Sequence, residues 1–182
     1  MALKATIFKA DLQLADMDRQ HYENYALTLA RHPSETDERM LLRLAAFAYH
    51  ASPSLEFTRG ISTEDEPDLW QKSLSDEIEL WIELGQPDEK RIRRACGRSH
   101  KVVIYPYNER SALPWWQQNQ ASFRRFQHLE VRFISQYDTT AISNLIQRSM
   151  SLSATIQEGH LWLSDGQHEV TIQTDPWQLP SH

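Results

Sequence analysis

The sequence predicts an α+β fold, in which helices and strands are mixed in the centre and both ends are antiparallel. Apolar and polar residues alternate over positions 8–14, which is typical of a strand with one buried face. Helical and strand patterns follow one another through the middle of the chain, and Asp165-Gly166 separates two alternating segments near the end, a strong hairpin signal. We therefore predict an αβββαβ core with an N-terminal β-hairpin and a C-terminal β-meander.

The first elements are a long hairpin and a helix. One strand covers positions 8–14, a turn follows at 16–19, and a second strand contains apolar residues at positions 25, 27 and 29. Ser34 is the predicted cap of the first helix. Apolar residues then recur at helical spacing, and the helix is expected to end before Pro53: Met40, Leu41, Leu44, Phe47 and Ala48.

The central elements are short strands and two helices. The predicted strands lie at positions 55–61, 69–72, 78–84 and 101–105, with an acidic loop at 64–68. Gly85 closes the third of these strands, and Asp88 is expected to cap a second helix that runs to about Arg98. The fourth strand, Lys101–Tyr105, is a short apolar run of the kind found in buried strands.

The last third begins with a helix that Pro114 is expected to open, since proline is tolerated in a first helical turn. A strand at 129–134 and a helix beginning near Asp138 follow. The meander is placed at positions 153–157, 160–164 and 169–173.

Composition favours one soluble domain covering residues 1–182. Cys96 is the only cysteine, no apolar run is long enough to span a bilayer, and no secretory signal is visible, so we expect a cytoplasmic, disulfide-free protein. The formal charge of -6 argues against nucleic-acid binding by bulk attraction alone. The basic stretch at positions 90–101 is either a solvated helix face or a local anion-binding surface.

Two carboxylates are the leading candidates for a metal site. If the turn between the strands at 69–72 and 78–84 centres near Ser75, Asp68 lies across from Ile82, and Glu83 is its direct or diagonal neighbour. Carboxylates held close together are the ligands that Mg²⁺ prefers. A one-residue slip in register would flip the faces. The alternative for Glu83, and for Glu79 on the same side of the strand, is that one face of the strand is wet and both glutamates are solvated.

The first helix offers a third carboxylate. Glu38 lies along the apolar stripe, and Glu35 precedes it. Glu38 is either an additional acid for the site or a residue that stabilises the helix, because a negative charge near a helix N-terminus interacts favourably with the helix dipole.

Several long segments resemble the YaeQ family of bacterial proteins. They are distributed from the first third of the chain almost to its end: 29–36, 57–60, 65–68, 80–85, 115–120, 154–157 and 162–165. That family resembles a variant of the PD-(D/E)XK nuclease fold, in which a Pro-Asp pair begins one strand and an acid-x-lysine motif ends the next. Pro67-Asp68 matches the first motif, and Glu83-Leu84-Gly85 matches the second except that glycine stands in the lysine position. The resemblance implies that Lys90, on the following helix, replaces this lysine, although Lys90 is equally consistent with a surface residue.

The expected function is Mg²⁺-dependent hydrolysis of a nucleic-acid phosphodiester, with DNA or RNA as the partner. Asp68 and Glu83 would bind the ion, Glu38 would act as an outer ligand or base, and Lys90 would stabilise the phosphate charge. The alternatives are a non-catalytic binding or regulatory module on a degenerate nuclease scaffold, and action on a small phosphorylated metabolite.

Three further groups of residues bear on the function. Trp115 and Trp116 either pack in the core or stack on bases. Arg31 and Arg59 either form ion pairs or bind a phosphate. No compact set of histidines predicts a zinc site, and no serine has the context of a hydrolase nucleophile.

Overall fold

The computed structural model describes residues 4–59 and 63–181. Within them the chain is a mixed α+β protein, as predicted, with ten strands and four helices. The helices are α1 (Asp37–His50), α2 (Glu89–Arg98), α3 (Glu109–Phe123) and α4 (Thr139–Leu145). The strands are β1 (Thr6–Asp16), β2 (His21–Arg31), β3 (Leu55–Phe57), β4 (Leu69–Lys72), β5 (Ile78–Leu84), β6 (Val102–Tyr105), β7 (Leu129–Gln136), β8 (Ser149–Gln157), β9 (His160–Ser164) and β10 (Glu169–Gln178).

The chain divides into two compact units, and each is assembled from separate segments. Unit 1 contains the residues up to Ala51 together with Gln136–Gln173, and unit 2 contains Ser52–Ser135 together with the residues from Thr174 onward. Strand β10 therefore begins in unit 1 and ends in unit 2. That the whole chain behaves as one domain stays a prediction.

Unit 1 is a sheet with the strand order β2-β1-β8-β9-β10 and the helices α1 and α4. The predicted N-terminal hairpin is confirmed: β1 and β2 pair antiparallel along their whole length, from Thr6 opposite Arg31 to Asp16 opposite His21. The predicted meander is confirmed as β8, β9 and β10, and β8 also pairs with β1 in parallel. The alternation in β1 places one apolar face inward: Phe8, Ala10, Leu12 and Leu14.

Helix α1 carries the largest continuous set of buried residues in unit 1, from Met40 to Ala48. Its cap differs from the prediction. Thr36 accepts the N–H of Arg39 and begins the helix, whereas Ser34 bonds to the His32 side chain. Both residues are good caps, and only the position at which the chain leaves β2 decides between them.

Unit 2 is a second sheet with the order β7-β6-β5-β4-β3. Strands β3, β4 and β5 pair antiparallel, and β5, β6 and β7 pair in parallel. Helices α2 and α3 connect the parallel strands, because two consecutive parallel strands need a crossover connection, which is usually a helix. The core of the unit is formed by residues of these strands and helices: Ile78, Trp81, Ile92, Ala95, Cys96, Val102, Ile104, Phe123, Leu129 and Val131.

Two boundaries in unit 2 differ from the predictions. Helix α3 begins at Glu109, so Pro114 lies inside the helix instead of opening it. The predicted strand at 55–61 is observed as the shorter β3, which ends at Phe57; positions 60 and 61 lie outside the described residues. The cap predicted at Asp88 is confirmed, since its side chain accepts a backbone N–H group of α2. The helix predicted to begin near Asp138 is confirmed as α4, and the Asp138 side chain accepts backbone N–H groups of that helix.

None of the helices in the described part of the chain combines the length and the apolar character that crossing a bilayer requires.

Candidate functional site

Asp68 and Glu83 lie close together where the chain enters β4. Leu69 is paired with Ile82, and the Asp68 N–H also donates to the Ile82 carbonyl over 3.0 Å. Asp68 therefore faces Ile82, as predicted, and stands just before the regular ladder, which is offset by one residue. Its carboxylate reaches the N–H of Leu84, the residue after Glu83, and its negative charge acts on Glu83.

Asp68 stands just before β4 and is held by backbone hydrogen bonds. Its side chain is buried, with 4% of the residue exposed, and a carboxylate oxygen accepts the Leu84 N–H over 2.8 Å. Its own carbonyl accepts the N–H of Thr58 over 3.2 Å. Asp68 therefore connects β5 with the segment after β3, and its carboxylate orientation is fixed by a backbone group.

Glu83 is equally buried, with 4% exposed, and is paired with Arg91 of α2. The Arg91 Nη2 and Nε atoms lie 2.6 and 2.7 Å from one Glu83 oxygen. The pKa of Glu83 is raised to about 7. Burial is the largest cause of the rise, the positive charge of Arg91 opposes it, and the negative charge of Asp68 adds to it. Glu83 therefore titrates near neutral pH, and Asp68 is close enough for its charge to act on it.

The indole of Trp81 lies on the same side of β5, two residues before Glu83. It lowers the pKa of Glu83, yet its buried Nε1 is outside hydrogen-bond geometry of any acceptor among the described residues. The indole N–H is thus close enough to stabilise the ionised carboxylate but makes no full bond to it. The indole N–H is therefore a donor available beside the Glu83 carboxylate.

Arg91 is the functional residue that sequence reasoning missed. It lies in the first turn of α2, where its N–H donates to the cap residue Asp88 over 2.8 Å. Its guanidinium also donates to the carbonyls of Glu64 and Glu66, at 2.7 and 2.9 Å. Arg91 therefore joins Glu83 to the acidic loop that precedes β4.

Lys90, the predicted replacement for the motif lysine, is exposed. It lines a shallow depression together with Glu64, Asp88, Arg91 and Arg94. Adjacent helical residues point about 100° apart, so the start of α2 at Glu89 turns Arg91 and not Lys90 towards Glu83. The basic stretch was visible in the sequence, but the phase of the helix was not.

The backbone at Gly85 disfavours a side chain at the position where the resemblance predicts a lysine. Gly85 has φ +98°, a conformation that residues with a side chain rarely adopt. A Cβ atom added at Gly85 would meet no heavy atom of the described residues within 4 Å, so backbone strain and not crowding disfavours a lysine. The positive charge beside Glu83 comes from Arg91 of α2.

The other predicted acids belong to different parts of the secondary structure. Glu79 is exposed on β5 and accepts a bond from Gln71. Glu38 is half-buried in the first turn of α1, in unit 1, where it favours the helix dipole. In the same unit Glu35 is buried and is paired with Arg43 over 2.7 Å. The structure thus brings together Asp68 and Glu83 within unit 2.

No set of three or more histidine, cysteine or acidic residues with metal-binding geometry occurs in residues 4–59 and 63–181. The pair of Asp68 and Glu83 still fits Mg²⁺, which usually retains several waters and needs only one or two carboxylates. The chemistry of the donor set is therefore compatible with a hard divalent ion and unsuitable for a zinc site.

Trp115 and Trp116, which were expected either to pack in the core or to stack on bases, make contacts within the protein. Arg31 and Arg59, which were expected either to form ion pairs or to bind a phosphate, lie beside acidic residues. Trp115 donates its indole N–H to the Pro87 carbonyl over 2.7 Å, and Trp116 stacks on Trp177. Arg31 pairs with Asp37. Arg59 lies 4.0 Å from Glu66, at the limit of an ion pair.

Comparison with known proteins assigns the family. A sequence model described as YaeQ protein matches residues 1–174. The chain belongs to the YaeQ family. It is 49% identical to the uncharacterized protein YaeQ of Salmonella typhi and 47% identical to that of Escherichia coli K12, in each case over 181 residues that cover 100% of both chains.

Two crystal structures of YaeQ proteins share the fold. The YaeQ protein from Xanthomonas axonopodis pv. citri superimposes with a TM-score of 0.90 at 43% identity, covering 97% of this chain and 99% of the other. The YaeQ protein from Pseudomonas syringae gives a TM-score of 0.88 at 32% identity, covering 96% and 97%. The family resemblance in the sequence is confirmed.

Proposed function

We propose that the chain is a Mg²⁺-dependent phosphodiesterase acting on nucleic acid, built on a variant of the PD-(D/E)XK nuclease fold. The observation that carries the proposal is the proximity of two buried carboxylates: Glu83 lies on β5, and the Asp68 carboxylate bonds to the N–H of the next residue, Leu84, and acts through its charge on Glu83. Two neighbouring buried carboxylates repel each other, and a divalent cation bound between them would offset this repulsion.

The order of elements supports the proposed scaffold. Helix α1, strands β3, β4 and β5, helix α2 and strand β6 follow one another along the chain, which is the αβββαβ order expected from the resemblance. Pro67-Asp68 precedes β4, and Glu83 is the penultimate residue of β5.

Three residues of unit 2 have separate roles in this proposal: Asp68, Glu83 and Arg91. Asp68 and Glu83 hold the ion, which when bound activates a water and offsets charge on the phosphate. Arg91 neutralises Glu83 in the metal-free chain, and its guanidinium, a good bidentate phosphate ligand, takes the role expected of Lys90. Glu38 has no role in the proposal, since the proposal rests on unit 2 alone.

The first test is metal binding. Addition of Mn²⁺ or Mg²⁺ should raise the melting temperature, because a ligand present at about 100 times its Kd stabilises the native state by about 2.7 kcal/mol. Asp68→Asn should abolish this rise, whereas Glu79→Gln, on the same sheet but exposed, should retain it. Affinity for Mn²⁺ should increase as the pH rises through 7, because the proton on Glu83 competes with the ion.

The second test is hydrolysis. Labelled DNA and RNA oligonucleotides should be cleaved in Mn²⁺ by the wild-type chain and by Glu79→Gln, but not by Asp68→Asn. An unchanged melting temperature in millimolar Mn²⁺ across pH 6–8 would refute the metal site, and cleavage by Asp68→Asn at the wild-type rate would refute its catalytic role.

The second candidate function is a non-catalytic nucleic-acid-binding or regulatory module. The ion pair between Glu83 and Arg91 favours it, because a carboxylate already neutralised by a guanidinium needs no metal. On this hypothesis Mn²⁺ leaves the melting temperature unchanged while oligonucleotides are still retained. Protection by mononucleotides alone would instead favour a small phosphorylated substrate.

A further inference from the structure

One side of α2 is occupied by the chain's own acidic loop, which we define as Glu64, Asp65 and Glu66. Three arginines spaced at positions 91, 94 and 98, and therefore on one side of the helix, contact it. The contacts are Arg91 Nη1 to the Glu64 carbonyl at 2.7 Å, Arg91 Nη2 to the Glu66 carbonyl at 2.9 Å, Arg94 Nη2 to Asp65 Oδ1 at 3.2 Å and Arg98 Nη1 to the Asp65 carbonyl at 3.1 Å.

These oxygens resemble what a phosphate backbone presents. Arginines bind successive phosphate oxygens through N–H donors, and nucleic-acid affinity depends chiefly on such contacts. The acidic loop offers four oxygens to three consecutive guanidinium groups, and its three carboxylates add negative charge. The loop thus satisfies the same donors that a short run of nucleotides would satisfy.

The contacts of the outer two arginines lie at the exposed surface. The side chains of Arg94 and Asp65 are 51% and 76% exposed, and exposed ion pairs are weak and screened by salt. Arg98 is exposed as well, and besides its bond to the Asp65 carbonyl its guanidinium lies 5.4 Å from the centre of the Trp81 ring. By contrast, Arg91 also holds the buried Glu83. The loop is therefore anchored at one end of the helix and weakly held along the rest of it.

We propose that Arg91, Arg94 and Arg98 form a binding surface for the phosphate backbone of a nucleic acid, and that the acidic loop is its built-in competitor. The proposal takes its partner class from the proposed function, but it requires neither a metal ion nor catalysis. The chain's formal charge of -6 is consistent with this arrangement, since the acidic loop suppresses binding by a locally basic helix.

The other basic residues nearby supply a matched control. Arg93 and Arg125 both pair with Glu89, Arg93 over 3.8 Å. Their side chains are each 56% exposed, similar to that of Arg94. Replacing them removes the same number of charges as replacing Arg94 and Arg98, without removing any of the four loop contacts described above.

The experiment measures binding of a fluorescein-labelled single-stranded DNA 20-mer to the full chain by anisotropy, in EDTA and 50 mM salt. Glu64→Gln/Asp65→Asn/Glu66→Gln should lower the Kd about tenfold, because three charges that repel phosphate are removed. In that background, Arg94→Ala/Arg98→Ala should reverse the gain. The control Arg93→Ala/Arg125→Ala should reduce it by no more than about twofold.

Hydrogen exchange gives a readout that does not depend on net charge. If the oligonucleotide displaces the loop, amides at 64–66 should exchange faster in the complex while α2 is unchanged or protected. The proposal is overturned if the triple loop variant binds no tighter than wild type, if the two arginine pairs have equal effects, or if the loop becomes protected. Because these measurements are made in EDTA, a failed metal test leaves them unaffected, and the two proposals fail separately.

Discussion

The raised pKa of Glu83 predicts a specific dependence of stability on pH. A carboxyl whose folded-state pKa lies above its unfolded value binds its proton more tightly in the native state. Its contribution to stability is therefore complete below the unfolded pKa, near 4.5, and is lost as the pH rises through the folded pKa, about 7. Each pKa unit corresponds to about 1.36 kcal/mol, so we expect Glu83 to reduce the free energy of unfolding by roughly 3 kcal/mol between about pH 4.5 and 7.5.

The assay compares urea unfolding of the wild type and Glu83→Gln in EDTA across this range. Glutamine does not titrate, so the loss of the ion pair with Arg91 shifts the free energy of unfolding of Glu83→Gln by the same amount at every pH. The pH-dependent change of roughly 3 kcal/mol should therefore appear in the difference between the free energies of unfolding of the two proteins. Glu79→Gln, which removes an exposed glutamate from the same strand, should follow the wild-type curve.

The reasoning fails if wild type and Glu83→Gln show parallel curves. That result would mean that Arg91 keeps Glu83 ionised throughout, and that the attraction of the ion pair exceeds the effect of burial. Metal affinity would then show no step near pH 7 either.

Three further changes test contacts within each unit. Asp68→Ala removes the acceptor of the buried Leu84 N–H and should lower the free energy of unfolding by about 1–3 kcal/mol, whereas Asp68→Asn keeps an acceptor and should lose less. Glu35→Gln leaves the buried guanidinium of Arg43 without its anionic partner and should cost about 3–5 kcal/mol. Tyr49→Phe removes the bond to the Gly159 carbonyl and should cost about 1 kcal/mol. Urea denaturation at pH 7 measures all three, and smaller losses at Asp68 or Glu35 than at Tyr49 would contradict the ranking.

The elements with a clear period were predictable from sequence. The alternation in β1 and the Asp-Gly turn between β9 and β10 were sufficient to predict the hairpin and the meander. Asp88 and Asp138 were recognised because each stands just before a helical pattern. The prediction of Ser34 as the cap of α1 was wrong because Thr36, two residues later, is an equally good cap. Capping propensity alone does not locate the end of the preceding strand.

The acidic pair was predictable only up to its register. Local turn geometry near Ser75 placed Asp68 and Glu83 close to each other, but the shift in register between Gln71 and Lys72 is an irregularity that side-chain pattern does not encode. Arg91 was missed for a related reason. A helix cap fixes where α2 begins, but the resulting orientation of the helix towards β5 depends on packing of Ile92 and Ala95 in the core.

Arg91 also predicts that metal and nucleic acid bind cooperatively. Its guanidinium bonds both to Glu83 and to the carbonyls of Glu64 and Glu66. A divalent ion beside Glu83 would oppose the positive charge of Arg91 and weaken its hold on the acidic loop, leaving the α2 arginines more open to phosphate. Linkage requires the effect to be reciprocal, so Mn²⁺ should tighten oligonucleotide binding by the same factor as the oligonucleotide tightens Mn²⁺ binding.

The expected coupling is a factor of at least about five, near the lower end of typical couplings between sites. It is measured by anisotropy with and without Mn²⁺ and by Mn²⁺ titration with and without DNA. Asp68→Asn should abolish the coupling while leaving binding in EDTA unchanged, because Asp68 would hold the ion in the proposed site but makes none of the loop contacts of Arg91. Equal oligonucleotide affinity in Mn²⁺ and EDTA, in a chain that demonstrably binds Mn²⁺, would show that the loop and the acidic pair are independent.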